Sequence, residues 1–181
     1  MATAFRPAVE LLAQFAEYHR DRRNIVTHVV GVPMMVFSVG VFLAGVSFTL
    51  GGLALTPAWL VFGLVGLWYL TRGQIGLGAA TTVGVGALIV LAHKVGGASF
   101  GQWLACWVGF FIVGWFFQFM GHYYEGRKPA LADDLVGHLV GPMFVALEML
   151  AALGLFKGLL STIERHAGPT MIRDLAHPAT R

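Results

Sequence analysis

Residues 100–131 read FGQWLACWVGFFIVGWFFQFMGHYYEGRKPAL and join a long apolar run to a short polar cluster. The run from 100 to 121 has no charged side chain, and about 20 apolar residues are enough for an α-helix to cross the hydrocarbon core of a bilayer. His122 and Glu125 follow it three residues apart, so on a helix they share one face. This stretch predicts a membrane-spanning helix that presents two metal-capable side chains at its end.

The composition of the whole chain indicates an integral membrane protein. Of its 181 residues, 57% are hydrophobic and only 12% are charged, whereas soluble domains carry about 25% charged residues. The single cysteine, Cys106, excludes an intrachain disulfide and a thiolate metal cluster. The net charge of +3 comes from cations in short loops rather than from a basic stripe, so no nucleic-acid partner is expected.

Five apolar segments predict an all-α, polytopic fold with about five transmembrane helices. They lie near residues 25–48, 56–71, 74–94, 100–121 and 138–160. The second segment is short and a tight turn, Arg72-Gly73-Gln74, joins it to the third, so these two are candidates for a membrane hairpin. A fold with four spans is the alternative.

The two ends of the chain differ in pattern from the segments between them. Residues 7–18 place Val9, Leu12, Ala13 and Ala16 on one stripe and Glu10, Gln14 and Glu17 opposite, which predicts an interfacial amphipathic helix. We interpret residues 1–164 as one membrane-embedded helical domain and residues 165–181 as a polar C-terminal tail, which we expect to fray.

The distribution of lysine and arginine predicts the orientation in the membrane. With the N-terminus inside, the cytoplasmic loops collect seven cations while the first two outer loops contain only Lys94. These cations are Arg6, Arg20, Arg22, Arg23, Arg72, Arg127 and Lys128. Nine arginines against three lysines are typical of GC-rich bacterial genes, which favours the bacterial inner membrane, with the N-terminus and the candidate site on the cytoplasmic side.

This topology brings several metal-capable residues to one membrane level. They are His19, His28, His122, Glu125 and His138. His19 and His28 are nine residues apart, which is about 900° of rotation on one helix and would put them on opposite faces. A break between them is therefore expected, with Asn24 as the N-cap of the first span.

Imidazoles with a carboxylate and no sulfur ligand suit iron(II), zinc or manganese, and two histidines with one carboxylate hold iron in non-haem oxygenases. We predict His19, His28, His122 and Glu125 as metal ligands, with His138 as an alternative to Glu125. Arg127 is predicted to pair with a substrate carboxylate, with anchoring to phosphate headgroups as the alternative.

A second function class remains open in the sequence. Glu148 falls inside the last apolar segment, and an intramembrane acid is a functional candidate. With His93 and His138 it would form the ionisable path of a small transporter or a proton- or metal-handling protein. Because most ionisable residues gather at one membrane side and no internal repeat is evident, the sequence favours the metal site.

Two blocks of residues carry a resemblance to the small membrane-embedded 2-hydroxy fatty acid dioxygenases of the phytosphingosine-metabolism type. The first block is Tyr18-His19, Asn24, His28 and Val32-Pro33. The second is Gln118-Phe119, Gly121-His122, Glu125, Arg127 and Pro129-Ala130-Leu131, continued by Asp133, Leu135, Pro142, Phe144 and Glu148. Asp134 stands where that family mostly has asparagine, and residues 49–115 carry no motif.

The resemblance implies an iron(II)-dependent enzyme of fatty acid α-oxidation in lipid metabolism. Dioxygen would add to a 2-hydroxy long-chain fatty acid, the carboxyl carbon would leave, and the chain would become one carbon shorter. His19, His28 and His122 match motif histidines and are the implied iron ligands, while Glu125 and Arg127 are the implied catalytic residues. The expected partners are the 2-hydroxy fatty acid, dioxygen and membrane lipids; the residues specify no oligomeric state.

Overall fold

The computed structural model describes residues 4–97, 99–126 and 136–175. Within these ranges the chain is mostly helical, with seven helices and one short β-hairpin. The elements are α1 (Ala8–Ala16), α2 (Arg22–Ala44), β1 (Phe48–Leu50), β2 (Leu53–Leu55), α3 (Pro57–Leu70), α4 (Ile75–Gly96), α5 (Phe100–Glu125), α6 (Val136–Ala152) and α7 (Lys157–Ala167). The predicted all-helical class is therefore confirmed apart from the hairpin.

Three helices, α2, α4 and α5, are long and apolar enough to cross a membrane. They have 23, 22 and 26 residues, and each matches one predicted span. The helices α3 and α6 are also apolar but have only 14 and 17 residues. At a rise of about 1.5 Å per residue they fall short of the full hydrocarbon thickness, so the count of five spans stays a prediction.

The fifth predicted segment, 138–160, is wrong as a single helix. It breaks after α6, where Gly154 has φ 95° and Phe156 has φ 53°. Glycine adopts this left-handed backbone without steric cost, so the chain turns here and starts α7 in a new direction. Because α7 continues to Ala167, regular structure also extends past the boundary predicted at residue 164.

Two tight connections show why neighbouring elements pack against each other. The hairpin, which the hydropathy pattern did not predict, turns at Gly51 and Gly52, whose φ angles of 58° and 84° suit a two-residue hairpin loop. The turn predicted between the second and third segments is confirmed, since α3 ends at Leu70 and α4 begins at Ile75. The short connection between α3 and α4 allows these two helices to pack against each other.

The amphipathic helix predicted over residues 7–18 is α1, which packs against α6 and α7. Its buried side is wider than the predicted stripe, because Leu11 and Phe15 also enter the core. An interfacial position for α1 stays a prediction. The prediction of Asn24 as a helix cap is wrong, because α2 begins earlier and the Asp21 carboxylate accepts the N–H of Arg23.

The helices α2 and α5 approach each other closely at positions that lack side chains. A methyl group on Gly31 would lie 2.9 Å from Phe117 Cβ and 3.0 Å from the carbonyl oxygen of Gly114. A methyl group on Gly121 would overlap Thr27 and Asn24 and reach 3.0 Å from His28 Nδ1. Small residues let helix backbones come this near, and here they bring the end of α5 against the start of α2.

Candidate metal centre

Three buried histidines meet where α1, α2 and α5 converge. His19 lies in the connection between α1 and α2, His28 in the second turn of α2, and His122 in the last turn of α5. They are 1%, 2% and 4% exposed, and one ligand atom from each lies within 4.8 Å of the other two. Neighbouring ring centroids are 4.5, 5.0 and 5.1 Å apart. The structure thus brings together the three histidines that the sequence placed at one membrane level.

Hydrogen bonds to the backbone fix the tautomers of two of these rings. His19 Nδ1 donates to the Phe15 carbonyl oxygen at 2.7 Å, and His28 Nδ1 donates to the Asn24 carbonyl oxygen at 3.0 Å. A carbonyl oxygen only accepts, so in the neutral rings each Nε2 carries a lone pair. The two Nε2 atoms face each other at 3.1 Å. Metal-ligating histidines commonly donate their second nitrogen to a backbone carbonyl in this way.

The third ring and the local electrostatics also suit a cation. Neither ring nitrogen of His122 has a hydrogen-bond partner within the described residues, although both are buried. Such atoms lose the hydrogen bonds of water, and a metal ion would replace them. Burial, followed by the proximity of His28 and His122, holds the pKa of His19 well below its usual range. The His19 imidazole is therefore neutral at physiological pH, which is the state in which it can bind a metal ion.

The Glu125 carboxylate lies beside this cluster and is hydrogen-bonded by other groups. Its Oε2 accepts the N–H groups of Arg20 at 3.0 Å and Asp21 at 2.8 Å and the side-chain amide of Asn24 at 3.1 Å. Its Oε1 accepts two donors from the Arg173 guanidinium. Glu125 shares a helix face with His122 as predicted, yet it ties chain segments together around the histidines. A direct bond from Glu125 to metal stays a prediction.

A second buried ion pair supports the connection that carries His19. The Arg20 guanidinium donates to the carbonyl oxygens of Ala16, His19 and Gly168, and its Nη2 lies 3.8 Å from Glu148 Oε1. Glu148, the intramembrane acid singled out in the sequence, is thus the charge partner of a buried arginine. This contact joins α6 to the connection between α1 and α2.

Asp21 organises the same connection from its other side. Burial raises the pKa of its carboxyl, but hydrogen bonds from the Arg23 side chain and from the backbone N–H groups of Arg173 and Arg23 outweigh burial and lower the pKa to about 2. Asp21 is therefore ionised at neutral pH. Asp21 and Arg173 were not among the site residues predicted from the sequence, because only the folded chain brings residue 173 near residues 21 and 125.

An apolar cavity of about 240 Å³ opens onto the three histidines. Its wall follows α2 from His28 to Leu43, which is about 22 Å of helix length. Half of a bilayer's hydrocarbon core is about 15 Å thick, so the cavity is long enough for an extended acyl chain. The polar side chains of Tyr69 and Gln118, which are 1% and 4% exposed, also line it.

The remaining predicted residues have different positions. His138 is exposed and lines the cavity without joining the group of three histidines. Trp115, from the aromatic segment before His122, contributes to the cavity wall. His93 contacts Thr56 and Trp59, away from the cluster. Arg127 lies outside the described residues.

Comparisons with known proteins found one family model and one curated relative that cover most of this chain. The family model described as 2-hydroxy-palmitic acid dioxygenase Mpo1-like matches residues 5–153. The 2-hydroxy-palmitic acid dioxygenase MPO1 of Saccharomyces cerevisiae is 35% identical over 150 residues, which cover 81% of this chain and 82% of the yeast protein. No solved structure matches the chain.

Proposed function

Because the chain belongs to the 2-hydroxy-palmitic acid dioxygenase Mpo1-like family, we propose that it is a membrane-embedded, iron(II)-dependent dioxygenase of 2-hydroxy long-chain fatty acids. The observation that carries this proposal is the pair of Nε2 atoms of His19 and His28 facing each other beside His122, whose ring nitrogens have no hydrogen-bond partner in the part of the chain that the structure describes. Three buried imidazoles, each with one nitrogen within 4.8 Å of the others, could hold one metal ion together.

The donor set fits a divalent transition metal. Metal–imidazole bonds are about 2.1 Å long, so two nitrogens at right angles around an ion lie about 3.0 Å apart. The observed separation of 3.1 Å between His19 Nε2 and His28 Nε2 agrees with that value. His19, His28 and His122 would hold the ion and leave coordination positions open. Bound iron(II) would supply the redox chemistry that makes dioxygen reactive.

The chain's own residues bind and orient the substrate in this proposal. The apolar wall along α2 holds the acyl chain, which directs the carboxylate and the 2-hydroxyl towards the histidines. The Gln118 amide, one turn before His122, is a hydrogen-bond donor for that polar end. Arg127 follows Glu125 closely in sequence and is proposed to neutralise the substrate carboxylate.

The proposed reaction balances without another reductant. A 2-hydroxy acid, R–CH(OH)–COOH, and O2 yield R–COOH, CO2 and H2O. The bond between C1 and C2 breaks, C2 becomes the new carboxyl carbon, and the substrate supplies all four electrons that reduce dioxygen. An apolar enclosure favours this chemistry, because it admits dioxygen and excludes bulk water from the reacting carbon.

The same contacts disfavour a transporter. Glu148 is paired with Arg20, and both ring nitrogens of His93 are hydrogen-bonded. A proton or metal path across the bilayer needs ionisable groups that can exchange partners along its length. The proposal puts the enzyme in the bacterial inner membrane with the histidine cluster on the cytoplasmic side, on the basis of the loop cations.

The test begins with iron content. Detergent-purified parent protein and His122→Ala are reconstituted anaerobically with iron(II), and iron per chain is measured by elemental analysis. We expect near-stoichiometric iron in the parent and its loss in the variant. Oxygen uptake is then measured with 2-hydroxypalmitate and with palmitate, and the C15 acid is identified by mass spectrometry. Only the hydroxylated acid should support uptake.

Two results would contradict the proposal. A parent protein that binds no iron after anaerobic reconstitution lacks the proposed centre. A folded His122→Ala protein that consumes oxygen with 2-hydroxypalmitate at the parental rate places the chemistry elsewhere. His93→Ala is the matched control, because it removes a partly buried imidazole outside the cluster and should leave both iron and oxygen uptake unchanged.

A further inference from the structure

Residues 168–173, which we call the C-terminal strap, lie against the connection between α1 and α2. The Met171 N–H donates to the Arg20 carbonyl oxygen at 2.8 Å, and the Arg22 N–H donates to the Met171 carbonyl oxygen at 2.8 Å. These bonds form a parallel β-bridge between Asp21 and Met171. A segment expected to fray is therefore paired with the backbone next to His19.

The side chain of Arg173 extends the strap to the end of α5. Its Nε and Nη2 donate to Glu125 Oε1 at 2.9 and 2.6 Å. The carboxylate side chain is 0% exposed and that of Arg173 is 22% exposed. The backbone N–H of Arg173 also donates to Asp21 Oδ2 at 2.7 Å. Charge-assisted hydrogen bonds of this length are among the stronger contacts in proteins, and more so when partly buried.

The Glu125 carboxylate connects Arg173 to the chain segments that carry the histidines. Its other oxygen accepts the N–H groups of Arg20 and Asp21, which directly follow His19. It also accepts the side-chain amide of Asn24, whose carbonyl oxygen fixes His28 Nδ1. Glu125 itself lies one turn beyond His122 on α5. One carboxylate thus touches the segments that carry all three imidazoles.

We propose that Arg173 is a positioning residue for the metal centre, and that it acts through Glu125. Its two donors hold Oε1, so that Oε2 faces the connection and fixes the backbone of Arg20 and Asp21, directly after His19. Without the Arg173 guanidinium, Glu125 would be a fully buried carboxylate that has lost its charge partner. Such a group turns towards water, and this movement weakens its bonds to residues 20, 21 and 24. This inference rests on the proposed function only in the test that measures metal binding.

The first test is a metal titration of the full-length protein. Cobalt(II) binding is followed by its visible absorption in the parent, Arg173→Gln, Arg173→Lys and Arg165→Gln. Arg165 is exposed and donates to Thr162, so it is a matched arginine at the same end of the chain. We expect Arg173→Gln to weaken cobalt binding about 10- to 100-fold, as removal of partners behind metal ligands commonly does. Arg173→Lys should recover part of the loss, and Arg165→Gln should match the parent.

A double-variant cycle tests the route through Glu125. If Arg173 acts through the carboxylate, Arg173→Gln should change cobalt affinity little in a Glu125→Gln background. Equal losses in both backgrounds would overturn the proposed route. Parental cobalt affinity in Arg173→Gln would overturn the positioning role altogether.

The second test uses hydrogen exchange of the metal-free protein and does not depend on the proposed function. In Arg173→Gln, the amides of residues 20 and 21 should exchange about tenfold faster, while those of α4 around His93 should be unchanged. Unchanged exchange at residues 20 and 21 would refute the role of Arg173. If the parent protein binds no metal, the proposed function is refuted instead. The exchange rates of residues 20 and 21 still test the role of Arg173 in that case. If Arg173→Gln does not fold, the same comparison is made with Arg173→Lys.

Discussion

His93 and His122 are both histidines near the end of an apolar helix, and their surroundings differ completely. His93 lies in α4 with Nε2 hydrogen-bonded to the Thr56 hydroxyl at 2.8 Å, Nδ1 to the Ile89 carbonyl oxygen at 2.8 Å, and its ring stacked on Trp59. His122 has no hydrogen-bond partner on either nitrogen within the described residues. Identical side chains thus have a structural place in one region and a proposed binding place in the other.

The hydrogen bonds of the ring nitrogens distinguish a structural histidine from a candidate binding histidine inside a membrane protein. Buried polar atoms are normally hydrogen-bonded, because leaving them unpaired costs about 1–3 kcal/mol. A histidine with both nitrogens paired is explained by its fold alone. A buried nitrogen without a partner, next to two other imidazoles, indicates that something else completes the site.

The largest effect is expected from closing the contact between α2 and α5 at the histidine cluster. Gly121→Ala would drive a methyl group into Thr27 and Asn24 and against His28, so its destabilisation should be about 1–3 kcal/mol. Because His28 and His122 lie on the two helices pushed apart, iron content should also fall severely. Thermal unfolding and elemental analysis measure the two effects.

Gly109→Ala is the control for that experiment. Gly109 lies on the same helix as Gly121, but a methyl group there would have no neighbouring atom within 4 Å. It should leave iron content and unfolding temperature close to the parental values. If the two alanine variants behave alike, helix proximity is not what assembles the histidines, and the contrast with His93 loses its structural basis.

A smaller and more selective effect is expected from the cavity. Val36 lines it two turns beyond His28, so Val36→Trp should block the path of a long acyl chain and leave the metal centre intact. Oxygen uptake with 2-hydroxypalmitate should fall about tenfold, the equivalent of about 1.4 kcal/mol, while 2-hydroxyoctanoate is less affected. Val83→Trp, at an exposed position of α4, is the control. Equal losses with both acids would argue against an acyl chain lying along α2.

The smallest effect is expected at His93. His93→Ala removes its hydrogen bond to Thr56 and its stacking on Trp59, which should lower the free energy of unfolding by about 1–2 kcal/mol. Iron content and oxygen uptake should remain parental, because the ring does not contact the cluster. A loss of iron in this variant would break the distinction between the two regions.

Local sequence signals accounted for the helices and for the three histidines. The long apolar runs predict α2, α4 and α5, because hydropathy over about 20 residues reports the cost of exposing polar groups to lipid. The spacing of His122 and Glu125 predicts a shared helix face, and the break before α2 allows His19 to turn towards His28. The last apolar run misled, because hydropathy alone does not register the left-handed backbone at Gly154 and Phe156.

Hydropathy, turn residues and histidine spacing predict the helical membrane character, the turn between α3 and α4, and the histidines that belong to the candidate centre. Helical period and hydropathy are properties of neighbouring residues, so a single stretch reveals them. The folded structure is needed to show which atoms of those histidines face each other, that Arg173 donates to Glu125, and that Arg20 pairs with Glu148. Partners such as Arg173 and Glu125 lie 48 positions apart along the chain, and only the packing of the folded chain brings them together.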